Sequence, residues 1–338
     1  MKTICVLTAR MSSSRFYGKV MQDIRGRPCL AWIVDRFRTC EKIDSIIVAT
    51  SRGSSDNMIA EWCKGKVDCY RGSLDNVVER IRMASRTFYG CEYVFRGLGD
   101  APFIEPKLVD LACQVVRGHD AGRVFAGANQ IPVYGAAEFP YSVRAIEIMA
   151  LAKEGLEHPG KYLDDHRDEF DVVYPEPPPA YYSLFFRPYR LELDTPDDLK
   201  LIRAVYDHFK PDVGEVIPLR DVILYLDTHP EIASLNAKVA EKTGPLTSFS
   251  PALRKAWAEN MRPTKWEGDW HWLDGYDGEG RPLLCACGHR LGFVSRGPDK
   301  VHRLRRPGGD WIEGRAELTC PRCGEVRVWR LDKRAWRK

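Results

Sequence analysis

The chain of 338 residues contains no apolar run approaching the ~20 residues that a membrane-spanning helix needs. Its N-terminus opens on a strand-like stretch without the apolar segment of a signal peptide, so the expected compartment is the cytoplasm. The G-x-x-x-x-G-K-[ST] spacing of a P-loop is absent, which excludes that route to phosphate binding. A large excess of either charge is missing too. The 51 Lys and Arg stand against 47 Asp and Glu, a net charge of +4. The chain as a whole is therefore not a polycation built for nucleic acid. Its basicity sits in residues 277–338, while the rest is slightly acidic. What remains is an ordinary globular composition, 44% hydrophobic and 29% charged. The length allows one sizeable core plus an extra module.

The first twenty residues organise the rest. Lys2 to Thr8 reads as a short buried strand, apolar and β-branched. Ala9 to Lys19 (A-R-M-S-S-S-R-F-Y-G-K) follows its C-terminal end, where open α/β sheets place their ligands. Ser12, Ser13 and Ser14 offer backbone N–H groups and small hydroxyls, and Arg10, Arg15 and Lys19 add three positive charges. Such a loop suits a polyanion, most simply a nucleoside triphosphate. The alternative is a basic surface loop.

Beyond it, strands and helices alternate. A turn at Gln22 to Gly26 leads to a helix over Cys29 to Cys40, with Leu30, Ile33, Val34 and Phe37 on one face. Strands are expected at Ser45 to Thr50, Val67 to Tyr70 and Tyr93 to Arg96. Asp56 reads as the cap of the helix between the first two, and a helix through Phe88 precedes the third. This spacing argues a parallel, doubly wound sheet. Further on, Val124 to Ala126 and Arg190 to Leu193 read as strands. Thr195, Pro196 and Asp198 form a capping box for a helix to about Phe209. Leu219 to Ala237 reads as two helices around a turn, a structural tail in which His229 is a turn residue.

Eleven cysteines need two explanations. Cys5, Cys29, Cys40, Cys63, Cys69, Cys91 and Cys113 are scattered singly through apolar contexts and read as free buried thiols. The other four form two pairs, Cys285-Ala286-Cys287-Gly288 and Cys320-Pro321-Arg322-Cys323-Gly324, with strand-like segments between. This pattern argues a zinc ribbon, and His289 could replace one thiolate because the C-x-C spacing is tight. Four thiolates close a tetrahedral Zn²⁺ site with no open position, so the zinc is structural and supports a small module. Domains are accordingly expected at 1–240 for the core and 277–338 for the ribbon. Between them, 241–276 is a linker in which Trp257, Trp266, Trp270 and Trp272 pack the module onto the core, with carbohydrate stacking as the alternative.

The loop Ala9 to Lys19 resembles the A-R-x-G-S-x-R-x-P-G-K loop of the cytidylyltransferases that make CMP-activated sugar acids. The spore-coat polysaccharide branch is nearest, with the CMP-Kdo and CMP-sialate synthetases further off. Ser12 and Tyr17 stand where that pattern has glycine and proline. Two further motifs follow in the family's order. Arg96, Gly99, Asp100 and Pro102 match R-x-x-G-D-x-P, and Asp194 to Leu199 matches D-T-P-x-D-L. The resemblance covers about residues 1–240.

It implies a GT-A-like α/β nucleotide-diphospho-sugar transferase core and transfer of CMP from CTP to an acidic sugar with release of pyrophosphate. Asp100 and Asp194 would hold the catalytic Mg²⁺, which takes one or two carboxylates together with phosphate oxygens and water. Ala9, Arg10, Ser12, Ser13, Ser14, Arg15, Lys19 and Arg96 would bind the nucleotide, with Arg71 and Ser73 beside cytosine and ribose. Gly135 to Phe139 and Glu157-His158 would lie on the acceptor side, and a homodimer is the family's assembly. Two alternatives stand beside this reading. One is CMP transfer to a small phosphonate or phosphorylated metabolite. The other is a degenerate core whose basic ribbon binds nucleic acid or a protein partner, although no base-reading motif is visible.

Overall fold

The computed structural model describes residues 2–119, 124–126, 135–136, 138, 140–152, 159–173, 175, 184 and 189–239, together with six strands nearer the C-terminus. The chain divides into two compact units. One comprises Met1–Glu176 and Pro188–Ser248, the other Pro177–Arg187 and Phe249–Lys338.

The first unit begins with β1 (Lys2–Thr8), a short ribbon of β2 (Asp23–Ile24) and β3 (Arg27–Pro28), then α1 (Cys29–Arg38). After these come β4 (Ser45–Ser51), α2 (Asn57–Cys63), β5 (Asp68–Gly72), α3 (Val77–Ser85), β6 (Cys91–Leu98) and α4 (Pro106–Arg117). The remainder is β7 (Val124–Ala126), β8 (Pro140–Ser142), α5 (Val143–Ala152), α6 (Pro159–Asp165), β9 (Asp171–Val173), α7 (Pro196–Phe209), α8 (Leu219–Thr228) and α9 (Pro230–Ala233).

Seven strands form one sheet in the order β5-β4-β1-β6-β8-β7-β9. The four strands from β5 to β6 are parallel. The expectation of a wholly parallel sheet is corrected beyond β6. There β8 runs antiparallel to both β6 and β7, while β9 is parallel to β7. Beyond β6 the sheet is therefore mixed. The chain first builds outward from β1 through β4 to β5, then returns to lay β6 on the other side of β1. That reversal makes the carboxyl ends of β1 and β6 the crevice of the sheet.

Alternation along β1 feeds both faces. Ile4 and Val6 pack with Val77, Val78 and Ile81 of α3 and with Ile146 of α5. Cys5 and Leu7 face the opposite layer, where Phe37 of α1 and Phe95 of β6 meet edge to face at 5.6 Å. In the same layer Tyr206 of α7 lies against Trp32 and Phe103. Its hydroxyl donates to the Pro102 carbonyl, tying α7 to the loop after β6.

Three smaller expectations are corrected. Asp56 does not cap α2, because its carboxylate turns to Met11 N–H (2.7 Å) and Ser51 N–H (3.0 Å). Arg190 to Leu193 is not a strand. Only a single bridge forms at Arg190, and Leu193 N–H donates to the Asp100 carbonyl (2.7 Å). Among the seven scattered thiols, Cys69 is exposed and Cys91 half-buried, since β5 is an edge strand and Cys91 starts β6.

In the second unit β10 (Arg281–Leu284), β11 (Arg290–Arg296), β12 (His302–Arg305) and β13 (Trp311–Glu313) form an antiparallel sheet. A hairpin of β14 (Arg315–Thr319) and β15 (Val326–Arg330) follows. Cys285, Cys287, His289, Cys320 and Cys323 lie outside the described residues, as do Glu157 and His158 and most of 131–139. No helix among the described residues is long and apolar enough to cross a membrane.

Candidate active site

The loop after β1 is closed by backbone chemistry. Gly18 N–H donates to the Met11 carbonyl (2.8 Å). Gly18 has φ +67°, a left-handed conformation, so the turn itself favours glycine. Ser12, at the position where the resembled motif has glycine, sits in ordinary backbone. Arg25 and Lys210 are the non-glycine residues with positive φ among the described residues. Asp56 fastens the loop to the end of β4 through the two N–H groups it accepts.

Gly99 brings the second segment in. Its N–H donates to the Thr8 carbonyl (2.9 Å), and a Cβ would stand 2.9 Å from that same oxygen. Asp100 therefore leaves β6 beside the end of β1. Leu193, bonded to the Asp100 carbonyl, delivers Asp194 to the same rim.

Here the predicted charges meet. The Lys19 ammonium bridges the two acids, contacting one oxygen of Asp100 and Asp194 Oδ1 (2.6 Å). Arg15 and Arg190 both pair with Asp194 Oδ2. Burial pushes the Asp194 carboxyl up, but Lys19, Arg15 and Arg190 together hold it below the ordinary carboxylate value. Burial likewise works against the Lys19 ammonium, and the two carboxylates more than offset it, raising it above the ordinary lysine value. The guanidinium atoms Nε and Nη1 of Arg15 are buried without a hydrogen-bond partner. They are donors suited to an anion such as a phosphate.

Two carboxylates from separate segments that reach one cation have their oxygens converging on one point. That donor set fits a hard divalent ion which completes its shell with phosphate oxygens and water. No group of three or more His, Cys, Asp or Glu able to hold a metal occurs among the described residues. A metal here would thus depend on oxygens from a ligand.

Not every expected nucleotide contact points into the crevice. Arg71, at the end of β5, gives Nε to the Ser51 carbonyl and Nη2 to the Gly53 carbonyl, both 2.9 Å, and so braces the rim. Ser73 Oγ accepts from Asn76 N–H (3.1 Å), and Ser13 Oγ accepts from Phe16 N–H (3.4 Å). Ala9 is buried, Arg10 and Ser12 are half-buried, and Ser14 is exposed.

Sequence reasoning missed Arg80. This α3 residue is 2% exposed, and its Nη1 donates to the carbonyls of Ser73 and Leu74. Burial first, then the neighbouring Arg10, bring its guanidinium down to about 10, with Arg96 adding to the effect. Arg10 and Arg96 thus lie near enough to Arg80 to concentrate positive charge around it. The available signal was a lone arginine on the apolar face of a helix.

The cytidylyltransferase family model matches residues 4–206. The chain belongs to the cytidylyltransferase family. This cytidylyltransferase is 31% identical over 247 residues to an uncharacterised protein of Methanocaldococcus jannaschii, covering 72% of this chain and 98% of that one. It is 27% identical over 240 residues to the spore coat polysaccharide biosynthesis protein SpsF of Bacillus subtilis, covering 68% and 95%. Its fold is similar to that of a cytidylyltransferase from Leptospira borgpetersenii, with TM-score 0.62 and 21% identity. That similarity covers 71% of this chain and all of the other. Family membership makes it a nucleotidyltransferase, with the expected α/β architecture.

Proposed function

We propose that this cytidylyltransferase uses CTP and Mg²⁺ to transfer CMP to an acidic sugar or related anionic acceptor, releasing pyrophosphate, in surface polysaccharide biosynthesis. The observation that carries the reading is the meeting of Lys19 and Arg15 with Asp100 and Asp194 at the crevice between β1 and β6. The relative named for spore coat polysaccharide biosynthesis supports the pathway in this reading.

In this reading Asp100 and Asp194 hold Mg²⁺. The ion supplies Lewis-acid stabilisation of the charge that develops on the α-phosphate. Lys19 and Arg15 move their charge from the carboxylates to the triphosphate and then neutralise the departing pyrophosphate. The backbone of the Ala9 to Lys19 loop orients the phosphates, with Ser12, Ser13 and Ser14 as hydroxyl donors. Arg71 and Ser73 shape the cytidine side by fixing the rim. Arg10 and Arg96 add positive potential where an anionic acceptor would approach. Positioning and charge neutralisation do the work, and an acceptor oxygen that is already anionic needs no separate general base.

The cysteine pairs keep their own proposal. Residues 285–289 connect the antiparallel strands β10 and β11, and residues 320–325 connect β14 and β15. Two hairpin connections, each with two cysteines, suit a structural Zn²⁺ held by Cys285, Cys287, Cys320 and Cys323.

The test of the catalytic proposal is pyrophosphate release with Mg²⁺, each of the four NTPs and a panel of acidic sugars, phosphonates and phosphorylated metabolites. Release with CTP and an acidic sugar is expected. Preference for another NTP, or no release with any, would overturn it. Release with a phosphonate or phosphorylated metabolite alone would retain the chemistry and replace the acceptor.

A further inference from the structure

Behind Asp194 stands a closed polar network that reaches well beyond the family match, which ends at residue 206. Its hub is Asp198, 0% exposed. One oxygen, Oδ2, accepts from Asp194 N–H (3.0 Å), Thr195 N–H (2.8 Å) and Thr195 Oγ1 (2.9 Å). The other, Oδ1, accepts from Arg190 Nε (3.2 Å) and from Asn236 Nδ2 (2.9 Å). Arg190 also donates to Asp194 Oδ2. Asn236 closes the ring, giving the second hydrogen of Nδ2 to the Arg190 carbonyl (2.9 Å). It is 3% exposed and lies in the short helical turn Ser234–Asn236 after α9.

Both partners of Nδ2 are acceptors, a carbonyl and a carboxylate that already takes four other donors. Only the amide nitrogen can face them, so the orientation of the side chain is fixed by chemistry. The near-isosteric aspartate would set a carboxylate against a carboxylate and a carbonyl, with no donor between them.

We infer that Asn236 is a positioning residue for Asp194, and that the tail formed by α8, α9 and the following turn is part of the active-site scaffold. By holding Asp198 from behind, Asn236 fixes the carboxylate that grips the Asp194 backbone. By holding the Arg190 carbonyl, it fixes the chain that carries the guanidinium on Asp194. The inference rests on the proposed role of Asp194 as a metal-holding acid, but its geometric part stands without metal.

The experiment uses the full chain with Asn236→Asp, the milder Asn236→Ala, and Leu226→Ala as a control. Leu226 is a buried α8 residue without a place in the polar network. Two readouts are taken: hydrogen exchange of the Asp194 and Thr195 amides without metal, and Mn²⁺ binding by EPR in the presence of CTP. Both Asn236 variants are expected to exchange these amides at least about 10-fold faster than wild type. They are also expected to need about 10-fold more Mn²⁺ for half-saturation, as outer-shell changes commonly do. Leu226→Ala should lower the melting temperature yet leave both readouts within twofold. Unchanged exchange in both Asn236 variants, or an equal acceleration in Leu226→Ala, would overturn the positioning role. A wild type that takes up no Mn²⁺ with CTP would overturn the metal reading instead, and the exchange arm would still decide Asn236.

Discussion

Asp100 and Asp194 meet the same lysine, yet the molecule holds them in different ways. Asp100 steps off β6, and its address is set by the sheet through the Gly99 to Thr8 bond. Its side chain is 19% exposed and has Lys19 as its ion-pair partner. Asp194 lies on a stretch with no ladder to hold it, and its side chain is 9% exposed. Two arginines, the lysine and the buried Asp198 network take the place of the sheet. An acid on a strand end inherits its position from the backbone. An acid on a loop needs side chains to supply one, and those side chains then depend on it.

That dependence predicts unequal responses to the same substitution. Asp194→Asn leaves Arg190 and Lys19, 6% and 13% exposed, short of a counter-charge. Breaking a buried pair from one side costs about 3–5 kcal/mol of stability, and a melt at neutral pH should show a large drop. The pH dependence carries a sign. Because the folded state holds the Asp194 carboxyl below its ordinary value, its contribution is present above the unfolded carboxylate pKa. It is lost as pH falls through the folded value. Asp194→Asn should therefore flatten the acid limb of stability against pH. A variant with wild-type melting at pH 7 and an unchanged acid limb would erase the distinction between the two acids.

Asp100→Asn should separate activity from stability. On the proposed mechanism kcat falls on the order of 10²- to 10³-fold, as when one transition-state electrostatic contact is removed. Its melting temperature should fall less than that of Asp194→Asn. Near-wild-type turnover under Mg²⁺ would remove Asp100 from the metal site.

The smallest expected effect is at Thr195, whose side chain completes the capping box of α7 with Asp198. Thr195→Ala should cost about 1 kcal/mol, the usual worth of an N-cap. Denaturant unfolding would measure it. A loss as large as that of Asp194→Asn would mean that the cap, rather than the charges, carries the loop.

The legible parts of the fold were those with local causes. The parallel core from β1 to β6, the α7 capping box and the end of α7 follow from alternation, helical spacing and capping chemistry. The antiparallel entry of β8 was not legible, because a strand's direction depends on how its connection crosses the sheet. Asp56 misled for a related reason. An aspartate before a helix is a good cap by sequence, but Met11 and Ser51 N–H groups, distant along the chain, compete for its oxygens. Arg80 and Asn236 gave no motif at all, since their partners are backbone carbonyls and a carboxylate that only the fold brings near.

By itself the sequence determined which chemical groups this cytidylyltransferase carries and in what order: a basic loop after the first strand, one acid after β6 and one before α7. Those depend on residue type and short spacing. The tertiary structure alone decided that Lys19 bridges both acids, that Arg71 braces the rim, and that the tail reaches back to Asp194 through Asn236. Such contacts join residues distant in the chain, and their strength comes from burial, which no local pattern records.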